Sequence, residues 1–504
     1  MSAESATPRP PTTSPEKASG PTAPATARVT EMAGVGWLIR PGILTAQLPP
    51  ELVGAAVAAT GSGERRRCKL PAAAVVYFVI SLCLFSGADT LAPPGYRPVM
   101  SSLTRGSRRT GRYRLPVSSA FTKARQRLGP APMRWLFEQT RGPIANPGTP
   151  GAFALGLRLV SWDGALFDVA DTPAHHQQFP AGTGVGNPQI RVLTLTECAT
   201  HAVIDAVFGG AGNHSEQALA ATLSRALTPG MLLLADRLFP GYELWTKAHA
   251  TGAQLLWRVK CKNVYHPVAD LPDGSQLAVM ATPRDAQRYG KARFDGRPIS
   301  APPQGQLIRV IDYTITVASK DTGQRQETFR LITTLLDHRA YPAAQLAALY
   351  PQRWESETSN SEIKCRLKGA RFALRSRTPE LVRQEVWALL VTYQALTRLA
   401  FDAATRAGTA AERISFSVTL RSVRDSIPRY VARTAVTLSR AYARAVIDIG
   451  DQQLAKRRSR GQPRKVKPPQ HKYEHLRRGE RRGPGAVDRI LHIITKTGTG
   501  SPGP

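Results

Sequence analysis

The chain has 504 residues, 42% of them apolar, and sets 68 Lys and Arg against 36 Asp and Glu for a formal charge of +32. Such a length supports several domains with a sizeable core, and the cationic excess points to a polyanionic partner, nucleic acid first. Five scattered cysteines (Cys68, Cys83, Cys198, Cys261, Cys365) form no C-x-x-C or Cys/His cluster, so neither a disulfide framework nor a zinc site is indicated, which suits a reducing cytoplasm.

Residues 1–30 are rich in Pro, Ser, Thr and Ala and lack an apolar signal-peptide core; they read as a disordered tail. Residues 31–145 read as a helical N-terminal domain. "PPELVGAAVAATG" fits a short helix closed by Gly61. The apolar run 70–85 has 16 residues, short of the roughly 20 that a membrane span needs, so it reads as a buried helix and no membrane partner is expected. Eight Lys and Arg and no acid lie between Arg105 and Arg127. Ser118 or Ser119 can cap a helix ending at Gly129, and 130–132 can open a second with Trp135, Leu136 and Phe137 on its buried side. A basic loop before two short helices fits a helix-turn-helix-like DNA-binding unit; an ordinary hairpin with a solvated basic face fits equally.

From about 146 the pattern changes to an α/β core. "LGLRLVSWDGALFDVAD" alternates as a strand does, and "RVLTLTECATHAVIDAVFG" reads as a hairpin. "NHSEQALAATLSRAL" is an amphipathic helix with Ser215 near its cap, and "GMLLLADRLFPGYELWTKAHATG" is a fully buried strand followed by a helix. Residues 250–340 are strand-rich, with "AQLLWRVK", "QLIRVIDYTITVA" and "ETFRLITTLL" separated by turn residues. Helices then return over 343–369, 379–405 and parts of 412–448. The tail 451–504 is basic and reads as disordered; 456–482 alone holds 12 Lys and Arg and 2 Glu, enough to hold phosphates non-specifically or simply to aid solubility.

Three acids occupy places that suit chemistry. Asp163 ends an apolar strand in "LVSWDGA", and Asp236 ends the buried strand in "LLLADRLF". Glu357 lies in "YPQRWESETSNSEIKCRLKG". At about 100° per residue, Tyr350, Arg353, Glu357 and Lys364 share an arc of roughly 60° on one helix face, while Glu355 and Glu362 fall on another. A surface salt bridge between Arg353 and Glu357 is the plain reading of that spacing. Convergent carboxylates need cations to stay ionised, and oxygen donors favour Mg²⁺ or Mn²⁺. Two such ions would activate a water or 3′-OH at a phosphodiester, with Arg353 and Lys364 holding the flanking phosphates. Asp168 and Asp171 compete with Asp163 as the first ligand.

The spacing Y-x2-R-x3-E-x6-K, met by Tyr350, Arg353, Glu357 and Lys364, resembles the signature of DDE transposases of the insertion-sequence-four type. "DGALFDVADTPAHHQQF" and "LLLADRLFPGYELW" resemble that family's two Asp segments, and "RLPVSSAFTKARQRLGPAPMRWLFEQ" is similar to the N-terminal domain of one subgroup; together the likeness covers about 40–450. It implies an RNase H-like core at 146–249 and 341–450, interrupted by a β-rich insertion at 250–340, with two metal ions held by Asp163, Asp236 and Glu357. It implies double-stranded DNA as partner, both inverted repeats and target, a homodimer in the synaptic complex, and work on the bacterial nucleoid. It further implies that Tyr350 positions the DNA strand end; in some relatives a Trp handles a flipped base in a hairpin intermediate, a role open to Trp354 or Trp257, each of which fits a core position equally well. The chain departs from the family at Leu238, where Gly is frequent, and at Ala174, where Asn is frequent. A nuclease that cuts without joining, or a DNA binder without catalysis, is the alternative.

Overall fold

The structure is a computed structural model, and the residues it describes are 39–66, 68–86, 95–104, 115–182, 186–297, 302–319, 323–369, 372–429, 434–455 and 488–493. The reading of 1–30, the basic loop at 105–114 and most of the basic tail lie outside them.

The N-terminal region is helical, with α1 (Pro50–Ala59), α2 (Ala72–Leu84), α3 (Tyr96–Leu103), α4 (Ser118–Leu128) and α5 (Ala131–Thr140). Gly61 and Gly129 stop α1 and α4 at φ +61° and +66°, a backbone region that costs glycine nothing. Neither Ser118 nor Ser119 caps α4: the helix starts at Ser118, and the cap position is Val117, without a side-chain hydrogen bond. On α5, Leu136 and Phe137 are buried but Trp135 only partly so. The apolar run does form a buried helix, α2, and among the described residues no helix is long and apolar enough to cross a membrane.

The chain then enters a mixed sheet. Its elements are β1 (Phe153–Ala154), β2 (Leu157–Asp168), α6 (Pro173–Gln178), β3 (Gln189–Glu197), β4 (Val203–Gly210), α7 (Glu216–Leu223), β5 (Met231–Ala235), α8 (Tyr242–His249) and β6 (Gln254–Val259). The strand order β4-β3-β2-β5-β6 has β2, β3 and β4 antiparallel and β2, β5 and β6 parallel. This α/β arrangement is an RNase H-like core. β5 is buried along its whole length, as a central strand covered on both faces must be. Side-chain alternation sends Val160, Trp162, Leu233 and Ala235 into the layer under α7 and α8. Leu159, Leu232 and Leu234 go to the opposite face.

The sheet continues through β7 (His266–Asp270), β8 (Gln276–Ala281), α9 (Pro283–Phe294), β9 (Gly305–Ser319) and β10 (Gly323–Thr333), in the order β6-β10-β9-β8-β7. Hence the strand-rich segment extends the core sheet. β6, which lies past the expected boundary at 250, pairs in parallel with β5, Leu234 facing Leu256. Local pattern could identify the strand but not its partner.

Beyond the sheet come α10 (Ala343–Leu349), a 3-10 turn Tyr350–Arg353, α11 (Trp354–Ser361), a π turn Glu362–Leu367, α12 (Pro379–Arg406), α13 (Phe416–Arg429) and α14 (Ala435–Gly450). The N-terminal helices share one core with α12, α13 and α14, joined by Phe167, Val169, Ile190 and Val192 from the sheet. Arg125 of α4, fully buried, donates to Gln384 and Ser376 at 2.9 and 3.0 Å, so it serves packing rather than a basic surface. The tail is not irregular throughout: β11 (Asp488–Ile493) pairs antiparallel with β9.

Candidate active site

Asp163 does not end its strand. β2 runs on to Asp168, and Asp163 pairs across to Thr194 of β3. β5 does end at Ala235, with Asp236 next. The β2–β5 register sets Ser161 beside Leu234, so Asp163 lies two residues beyond the last β2 residue paired with β5, and Asp236 one residue beyond the end of the neighbouring β5. Alternation puts both carboxylates on the face that carries Leu232 and Leu234, the face covered by α10 and α11.

The helix bearing Glu357 is fastened to that face at two points. Ser161 Oγ donates to Ser356 Oγ at 3.1 Å, and Asn360 Nδ2 donates to Asp163 Oδ2 at 3.1 Å. Asn360 was not singled out by the spacing argument, although it lies one turn beyond Glu357. Burial, with a smaller contribution from Glu357, pushes the Asp163 carboxyl up to about 6; the Asn360 and Gly164 hydrogen bonds and Arg353 pull the other way. Asp168 is exposed and bound to Gln189, and Asp171 is exposed and paired with His176.

Glu357 is half-buried and accepts from Arg353 Nη2 at 2.6 Å. The salt bridge expected from the spacing therefore exists, but inside the site: Arg353 is 5% exposed. Among the described residues, no three acids, histidines or cysteines lie close enough together to hold a metal ion. The donor chemistry nevertheless fits a hard divalent cation. Asp163, Asp236 and Glu357 offer only oxygen, and the raised Asp163 value marks a carboxylate short of positive charge.

Tyr350 is 4% exposed and donates its hydroxyl to the Ala235 carbonyl at 3.1 Å, so it anchors the end of β5 just before Asp236. Burial raises its pKa. Lys364 sits half-buried in the π turn. Trp354 is 49% exposed, with the Arg353 guanidinium 5.2 Å from its ring, whereas Trp257 is fully buried against Trp162 and Trp245. Only Trp354 can reach a ligand. Leu238 is exposed, and its φ is not positive, so the turn after Asp236 does not require glycine. His175 is buried, with Nδ1 against the Ala170 carbonyl; His176 is exposed.

Comparison with known proteins gives the same order of parts. Residues 39–138 match the family described as insertion element 4 transposase N-terminal, and residues 156–394 match the transposase DDE domain. The transposase InsG for insertion sequence element IS4 of Escherichia coli K12 is 27% identical over 361 residues, 69% of this chain and 73% of that protein. A piggyBac transposase synaptic complex with hairpin DNA aligns over 80% of this chain and 84% of its own at 8% identity, but its TM-score of 0.39 is too low to carry an argument about the site. With the N-terminal helices and the catalytic core matched in sequence order, and acids placed at the heart of that core, the chain belongs to the DDE transposases of the insertion-element-4 type.

Proposed function

We propose that this transposase binds the terminal inverted repeats of its own insertion element, cuts there, and joins the freed 3′-OH to target DNA. The observation that carries the reading is the placement of Asp163 on β2 and of Asp236 just past the end of the neighbouring parallel strand β5, with the Glu357 helix fastened to β2 by Asn360 and Ser356. Asp163, Asp236 and Glu357 would hold two Mg²⁺ or Mn²⁺ ions. When bound, such ions supply charge stabilisation at the scissile phosphate and activate the attacking oxygen. In each step an oxygen attacks phosphorus as the bond to the leaving oxygen breaks; the attacker gives up its proton and the leaving oxygen gains one. Water attacks in cutting and the 3′-OH in joining.

Arg353 has a second part on this reading. A DNA phosphate competes with Glu357 for the Arg353 guanidinium, which binds phosphate bidentately. Transfer of Arg353 to the phosphate frees Glu357 for the metal, so DNA binding completes the site. Lys364 holds a neighbouring phosphate as a point charge. Trp354 stacks on a base taken out of the helix. Tyr350 acts by fixing the end of β5. Two ends brought together require at least a dimer, and the setting is the bacterial cytoplasm, on the nucleoid.

The test uses a supercoiled plasmid carrying the gene with its native flanking DNA. Purified protein and Mg²⁺ or Mn²⁺ are added, and new 3′ ends are mapped by sequencing, with Glu357→Gln alongside. Cuts at the element's ends followed by strand-transfer products, both absent in the variant, are expected. Scattered cuts without joining would instead establish a nuclease, and end binding without cuts a DNA binder.

A further inference from the structure

We propose that His201 is a positioning residue: its imidazolium ties Glu355 to Glu362 and thereby fixes the helical segment that carries Glu357 and Lys364. The inference rests on the assignment of Glu357 to the active site.

His201 lies in the turn between β3 and β4, at φ +64°. For a residue with a Cβ this left-handed conformation costs about 1–2 kcal/mol and persists only where the surroundings impose it. Here the turn is imposed. His201 N donates to the Glu197 carbonyl at 2.9 Å, and Glu197 N to the Ala202 carbonyl at 2.9 Å. The buried Glu197 carboxylate accepts from Ala145 N at 3.0 Å and pairs with Arg158. The strained backbone delivers the ring to the back of the catalytic helix.

There Nε2 is 2.9 Å from Glu355 Oε2 and Nδ1 is 3.2 Å from Glu362 Oε2. Ionised carboxylates only accept, so both ring nitrogens carry protons. Burial alone would favour the neutral ring, but the two carboxylates outweigh it and push His201 up to about 10. Tyr393 of α12 adds a hydrogen bond to the same Glu362 oxygen at 2.8 Å. Glu355 and Glu362 bracket Glu357 and the start of the π turn. They are the two acids that helical periodicity puts away from the Glu357 stripe. The clamp thus grips the segment on both sides of its change in winding.

Without the imidazolium that holds both of them, Glu355 and Glu362 repel each other. The segment relieves this by shifting, and a displacement of about 1 Å at a reacting group can cost 100-fold in rate. His201→Asn is the variant of choice, because Asn tolerates the left-handed backbone. Three properties of the full chain are measured: thermal unfolding, affinity for element-end DNA in chelator, and Mn²⁺ affinity from the electron paramagnetic resonance of the free ion. The plasmid cleavage rate is measured beside them. Unfolding is expected to stay close to the parent's, and end affinity to fall by less than the cleavage rate. Mn²⁺ binding should weaken by about 10-fold, as for residues that orient metal ligands, and cleavage should slow by about 10–100-fold. Glu362→Gln, which retains an acceptor but halves the negative charge, should show a smaller loss in the same two properties. It serves as the test if His201→Asn does not fold.

Mn²⁺ affinity and rate at the parent's level in a folded variant would overturn the positioning role. So would parallel loss of DNA affinity, stability and rate, which marks a merely structural residue. Glu357→Gln separates the two levels: if it still cuts at the element's ends, the site assignment itself fails, whatever His201 does.

Discussion

Asp163→Asn should stabilise the metal-free protein. Asp163 is an acid whose folded pKa stands at about 6 against an ordinary 3.8, with burial the main cause. The folded state therefore holds this proton more tightly than the unfolded state. Below the unfolded value the group costs nothing; between the two values the cost grows with pH, and above the folded value it is complete. A shift of about 2 units at about 1.4 kcal/mol each amounts to about 3 kcal/mol. An amide of the same shape carries no charge and avoids that cost, and its oxygen can still accept from Asn360. In chelator at pH 8, urea unfolding should show the variant more stable by up to about 3 kcal/mol, and at pH 4.5 by about 1 kcal/mol. Addition of Mg²⁺ should reverse the order, since only the parent keeps the ligand. A variant equally stable with the parent at both pH values, or less stable at pH 8, would refute the reasoning that a desolvated, undercompensated carboxylate sits there.

Arg353→Gln should act in opposite directions on two ligands. It frees Glu357 from its 2.6 Å partner, so Mn²⁺ should bind the DNA-free protein several-fold more tightly, while affinity for element ends falls; loss of both, read by Mn²⁺ titration and gel mobility, would count against Arg353 as the occupant displaced by DNA. Tyr350→Phe removes a buried hydrogen bond to the Ala235 carbonyl and should lower unfolding stability by about 1 kcal/mol, with end affinity unchanged; a large loss of affinity would restore Tyr350 to the DNA interface. Trp354→Ala should move stability by less than about 0.5 kcal/mol yet impair strand processing, whereas Trp257→Ala, at a fully buried site, should destabilise by about 3–5 kcal/mol; equal unfolding midpoints for the two would contradict this assignment.

Much of the core could be read from local chemistry. The short unbroken "MLLLA" bounded by turn residues fits a strand covered on both faces, and Gly61 and Gly129 stop helices because each takes a left-handed φ. The limits lie where partners are distant in sequence. "AQLLWRVK" reads as a strand, but only pairing with β5 places it in the core. Asp163 reads as a strand end because it follows the apolar run directly, yet β3 supplies partners as far as Asp168. Tyr350 reads as part of a polar stripe, and its burial comes from β5 beneath it. His201 leaves no periodic trace: a left-handed turn and two carboxylates more than 150 positions away give it meaning.

The stripe of Tyr350, Arg353, Glu357 and Lys364 presents a different problem, because the uniform α-helix assumed for it is not what forms. Tyr350–Arg353 is a 3-10 turn, and Glu362–Leu367 is a π turn in which Lys368 N donates to the Ile363 carbonyl at 3.0 Å. At three residues per turn, the 3-10 segment advances by about 120° per residue instead of about 100° and brings Arg353 into line with Tyr350. Glu357 is carried forward by the same excess, about 60°. The π turn, with bonds from i to i+5, winds more slowly than the α-helix and carries Lys364 back. The two departures have opposite sign, so the four residues keep a common side although neither local angle is that of an α-helix. The tight turn lets Arg353, buried above Tyr350, meet Glu357 from the preceding turn. The loose turn lies where Glu362 is gripped by His201 and Tyr393. Weakening that grip should let the π turn relax towards α geometry, rotating Lys364 relative to Glu357. A spin label at Lys364 paired with one at the exposed Leu238 would report that rotation in His201→Asn as a changed distance. An unchanged distance would mean that the winding is set by the sheet beneath and not by the clamp.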